Sequence, residues 1–90
     1  MMGQGSNPEE QQFTHLMRLA WDLRKLGLRT MVDLPPRTEP VLVIPRAAGA
    51  LKVMAVHRKG AWVFTWGRGR DQGVRALVDG AADRIWEVAQ

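Results

Sequence analysis

Acid–base chemistry in this chain would have to start from His15 or His57, its only two histidines. A general base needs a nucleophile or water to activate, and a third group to orient it. The sequence supplies neither at a recognisable spacing. There is no Cys and no Tyr, and the single Ser, Ser6, lies in the polar N-terminal stretch. Two distant histidines among scattered carboxylates match no metal-ligand spacing. Asp79, Asp83 and Glu87 recur once per helical turn, but Arg75 and Arg84 alternate with them. That is the pattern of a solvated, ion-paired helix face. The chain is therefore expected to be non-catalytic, with no metal and no cofactor.

Binding chemistry is better supplied. The run GRGRDQG, residues 67–73, places two arginines in a glycine loop ahead of an apolar helical pattern. Backbone N–H groups at a helix start attract anions, and Arg68 and Arg70 could clamp one. No Gly-Lys-Ser/Thr follows, so the run is not a Walker loop, and no parallel strand–helix–strand unit surrounds it. The bland reading is a flexible loop with Asp71 as helix cap. Arg18 and Lys25 on the first helical pattern add a basic flank. Net charge is +4, and ten of the thirteen basic residues are Arg. They are spread along the whole chain, whereas nucleic-acid binding favours a clustered patch.

Trp62, Phe64 and Trp66 form an aromatic stripe just before that loop. Exposed rings in such a stripe stack bases. The same stripe, buried, is the most apolar face available for helices to pack on. The second reading is favoured. Trp21, at the flank of the first helical pattern near Met17, is a candidate interface anchor, and Trp86 is similar.

The elements that position these residues follow from periodicity. Residues 1–7 lack an apolar anchor and are expected to be a disordered tail ahead of one domain, 8–90. Ser6 or Asn7 can cap a helix that begins at Pro8, with Glu9 and Glu10 in its first turn. Phe13, Leu16, Met17, Ala20, Leu23 and Leu26 recur at helical spacing, and Gly27 is the expected C-cap. The period then falls to two over Leu28–Leu34. PPRTEP, residues 35–40, is a proline-bounded connection. Val41–Ile44, Leu51–Arg58 and Ala61–Trp66 read as further strands. A tight turn at Lys59-Gly60, or a four-residue loop from Arg58 to Ala61, pairs His57 with Trp62 and Ala55 with Phe64 on one face. The other face then pairs Val56 with Val63 and Met54 with Thr65. A second helix is expected from the stripe Val74, Leu77, Val78, Ala81, Ile85 and Val88, with Gly80 inside it.

The expected fold is α+β: a helix, a four-stranded antiparallel meander and a helix, with both helices on one face of the sheet. That order resembles the double-stranded-RNA-binding domain, which has helix, three strands and helix. The resemblance implies phosphate-gripping lysines at the start of the second helix, where this chain has Gln72 and Gly73. The segments LAWDLRKLGLRTMVDLPP, EPVLVIPR, WVFTWGRGR and AADRI are similar to those of small uncharacterised proteins of high-GC Gram-positive bacteria. That likeness carries no site residues with it.

The helices leave Met54, Val56 and Val63 on the reverse face without cover. A small chain gains stability by association, so a homodimer or another protein partner is expected there or at Trp21. No apolar run approaches the roughly 20 residues of a spanning helix. The polar N-terminus is not that of a signal peptide. A cytoplasmic location with no membrane contact is expected. The rival reading is nucleic-acid or anion binding through the Gly67–Arg70 loop.

Overall fold

The computed structural model describes residues 8–36, 38–67, 69, 72–76 and 80–90. The expected tail (1–7), Arg68, Arg70, Asp71, Leu77, Val78 and Asp79 lie outside the described residues. Helix α1 spans Pro8–Lys25, and strands β1 to β5 span Met31–Asp33, Val41–Ile44, Leu51–Arg58, Ala61–Thr65 and Gly73–Arg75. Helix α2 spans Ala81–Val88. The sheet has the order β1-β2-β3-β4-β5, and every neighbouring pair is antiparallel. It is a meander, with β3 in the middle.

α1 begins at Pro8 and ends before Gly27 as its sequence predicts, with a buried stripe that differs in part. Leu16, Ala20 and Leu23 are buried as their spacing predicts, and Leu19 joins them. Phe13 is half-buried, and Met17 and Leu26 are exposed, because the buried stripe is narrower than the apolar pattern and turned towards Leu19. Glu9 and Glu10 sit in its first turn and Arg24 and Lys25 in its last, which complements the helix dipole. Gly27 has φ 90 and ends the helix. The Gly27 amide donates to the Arg24 carbonyl, and the Leu28 amide donates to the Leu23 carbonyl, both at 3.0 Å. These two bonds make a Schellman cap, and its left-handed position favours glycine.

The β3–β4 hairpin has the expected register, including His57 opposite Trp62, Ala55 opposite Phe64 and Val56 opposite Val63. Lys59 and Gly60 have φ 49 and φ 80. Two positive values in a two-residue loop make the I′ turn, whose twist matches the strands. The structure therefore selects the tight turn over the four-residue loop.

Two parts of the chain differ from their pattern. The Leu28–Leu34 stretch contributes only the three-residue β1. The stretch expected to open the second helix contributes a fifth strand, with Val74 opposite Phe64 and Gly73 opposite Thr65. The Ala76 amide extends this pairing to the Trp62 carbonyl at 2.9 Å. Gly80 is not inside the helix but immediately before it, in the left-handed region at φ 89. Ladder bonds to β4 outweigh the helical spacing of Val74, and a left-handed Gly80 sets the helix start later.

Successive strand residues alternate between two faces. The inner face carries Leu42, Ile44, Leu51, Val53, Ala55 and Phe64, all buried. These join the α1 stripe and α2's Ala81, Ile85 and Ala89 in one core. α1 packs on this face, and α2 packs beside α1 and β5 and adds to the same core. Burying one such leucine or isoleucine stabilises by about 1.5–3 kcal/mol.

Candidate interaction surface

The opposite face of the sheet has no helix over it among the described residues. Its residues follow from the register. Met31 lies opposite Val43 and Asp33 opposite Val41. Val43 meets Lys52 on β3. Met54 faces Thr65, and Val56 faces Val63. Val63 in turn faces Arg75. Val41, Val43, Met54, Val56 and Val63 are half-buried, and Met31 is exposed. Apolar side chains thus run across four strands. Lys52 and Arg58 stand near the two ends of β3, Arg75 on edge strand β5, and Asp33 on edge strand β1. These four charged residues are all exposed.

The aromatic stripe resolves into a buried centre and two half-buried flanks. Phe64 is 3% exposed and belongs to the core, with Trp62 and Trp66 packed against it. The Trp62 indole N–H donates to Gln11 Oε1 at 3.1 Å. His15 from α1 and His57 from β3 each bring a ring centroid to 5.2 Å from Trp62. Burial, and secondarily the Arg18 guanidinium, hold His15 below the usual imidazole range. Neither histidine hydrogen-bonds a carboxylate among the described residues. Arg84 lies over the Trp66 ring, its guanidinium carbon 6.0 Å from the centroid. Phe64 is spent on the core, while Trp62 and Trp66 pack at its flanks and keep part of their surface exposed.

Sequence reasoning did not find that both histidines converge on Trp62. The opposition of His57 and Trp62 was legible in the hairpin. The arrival of His15 and Gln11 depends on how α1 crosses the sheet. Gln12 was also missed: it is buried, and its amide donates to the Ala55 carbonyl at 3.0 Å and to Glu39 Oε1 at 2.7 Å. It ties α1 to β3 and to the β1–β2 connection.

The other candidate residues separate. Trp21 is 64% exposed on the outer side of α1. It borders a groove of about 690 Å³ that α1 shares with the start of α2. It is thus in the helical layer, away from Met54, Val56 and Val63. The two alternative interface sites therefore lie on different surfaces of the molecule. Arg18 is exposed at the same groove, and Lys25 pairs with Asp22 at 3.7 Å on the exposed end of α1. Among the described residues, no group of three or more His, Cys, Asp or Glu could hold a metal ion. No described helix is long and apolar enough to cross a membrane.

No protein-family model matches this chain, and neither a curated protein nor a solved structure does. The functional reading therefore rests on the surface itself.

Proposed function

We propose that this chain is a small non-catalytic interaction module whose working surface is the open face of its sheet. One observation carries the reading. Valine and methionine side chains run from β1 to β4 on a face that no described element covers. An antiparallel sheet with a solvated side normally alternates apolar-in with polar-out. Here VLVI in β2 is apolar on both sides. That pattern suits a strand covered above and below, so the second cover comes from a partner. Contiguous apolar patches larger than a few hundred Å² mark protein contacts.

The test uses the 90-residue chain and a Val56→Lys/Val63→Lys variant, both checked for folding by circular dichroism. The wild-type chain is expected to associate, either with itself in sedimentation or with a protein retained from cell extract. The variant is expected to do neither. A folded variant that associates as the wild type does would overturn the reading.

A further inference from the structure

We infer that the occupant of this face is a second copy of the chain, packed sheet on sheet about a two-fold axis parallel to β3. The inference rests on the open face being the working surface. It goes further by naming the partner and its orientation.

The first argument is size. Five strands at about 4.8 Å spacing span roughly 19 Å between the outer strand axes. The four same-face rows of β3, about 6.8 Å apart, span roughly 20 Å, the shorter strands carrying two or three rows each. Side-chain relief raises the accessible area above that projection. It is then of the same order as the roughly 800 Å² per partner of a stable interface.

The second argument is self-complementarity. β3 is the central strand of five. A two-fold axis along it lays β3 on the partner's β3, β2 on the partner's β4, and β1 on the partner's β5. Met54 and Val56 then meet their own copies at the centre. Val41 on β2 falls in the same row as the partner's Thr65, with Val43 one row to one side and the partner's Val63 one row to the other. At the rim, Asp33 on β1 approaches the β5 strand that carries Arg75. The register through Val41, Met54, Thr65 and Gly73 puts Arg75 one same-face step from Asp33's row. That step is about 6.8 Å along the strand, within reach of an arginine side chain. Asp33 and Arg75 are both exposed and have no ion-pair partner among the described residues. The two-fold repeats this pair at both edges. The same axis sets Lys52 and Arg58 against their own copies near its two ends, where long stems can cover apolar surface while the like charges separate into water. The resulting sandwich has the ordinary aligned arrangement of two sheets, about 10 Å apart.

Sedimentation equilibrium on the purified chain at micromolar concentrations tests the inference. Twice the chain mass is expected, and the monomer mass for Val63→Lys. Asp33→Arg and Arg75→Asp should each weaken the dimer about tenfold or more, because each sets like charges against one another at two places. The Asp33→Arg/Arg75→Asp double variant should recover most of that loss. A chain that stays monomeric overturns the second-copy inference. If it still retains a protein that Val56→Lys/Val63→Lys loses, the interaction reading stands alone. A dimer indifferent to both charge reversals, or one abolished by Trp21→Ala, overturns the orientation.

Discussion

Leu42 and Val43 are neighbours on β2 and point to opposite faces of one sheet. Leu42 is 0% exposed and sits beneath α1. Val43 is half-buried, between Met31 and Lys52 of the adjacent strands. The two residues have similar chemistry and the same backbone, so only their cover differs. The inner face has a complete set of neighbours within the chain. The outer face has neighbours in its own plane and, among the described residues, none above it. Apolar composition alone therefore does not reveal the core of this molecule; alternation together with the helix stripes does.

The sharpest way to break the comparison is to truncate both sides of β2. Leu42→Ala should destabilise by about 2–5 kcal/mol in denaturant unfolding, since it opens a cavity in packed surroundings. Next in size is Gln12→Leu, which leaves the Ala55 carbonyl without its side-chain donor. It should lose about 1–3 kcal/mol by the same measurement. Gly27→Ala should lose about 1 kcal/mol in thermal unfolding, because alanine is strained at the left-handed cap. Val43→Ala should lose less than about 1 kcal/mol where the protein is monomeric, as for an incompletely buried site. If the outer face is an interface, its loss should grow with protein concentration. A Val43→Ala loss equal to that of Leu42→Ala in dilute monomer would dissolve the distinction between the faces.

The smallest effect concerns pH. His15 has a folded pKa below its unfolded value. The unfolded chain therefore binds its proton first as pH falls through about 6.5. Stability from this group is intact above that pH and declines as the solution is acidified towards the lowered folded value. Thermal melts at pH 7.5 and 5.5 should differ less for His15→Gln than for the wild type. An equal difference in both would remove His15 as the source.

Most of the inner face was legible because local signals agreed. Gly27, the α1 stripe and the β3–β4 alternation all pointed to the observed elements. The fifth strand was not legible. Val74, Ala81 and Ile85 can be joined by helical spacing, and nothing local reveals that Gly73–Arg75 will pair with β4. That choice is made by long-range ladder bonds. Gly80 offered a clue, since a glycine near a helix end is more often a boundary than an interior residue. The open face was half legible. Met54, Val56 and Val63 emerged from the hairpin register. Adding Val41, Val43 and Met31 required the pairing of β1 and β2 across the proline-bounded connection. Trp21 stood as an alternative to them because exposure is readable from a helix flank, whereas the layer it belongs to is not.

Helix α2 has eight residues, no side-chain bond at its N-cap and no basic residue in its last turn. Isolated helices shorter than about 12–15 residues are marginal in water. The missing positive charge arrives from elsewhere: Arg46, just after β2, donates through Nη1 to the Val88 carbonyl at 3.4 Å and through Nε to the Gly49 carbonyl at 2.8 Å. The helix therefore persists as a docked object, held by Ile85 in the core and by an arginine borrowed from a turn. Its hydrogen-bonded amides should exchange with solvent well before those of β3, through partial openings that leave the rest of the sheet intact. Such an opening widens the groove beside Trp21 down to Phe64, so one side of the core is transiently accessible while the open sheet face stays unchanged.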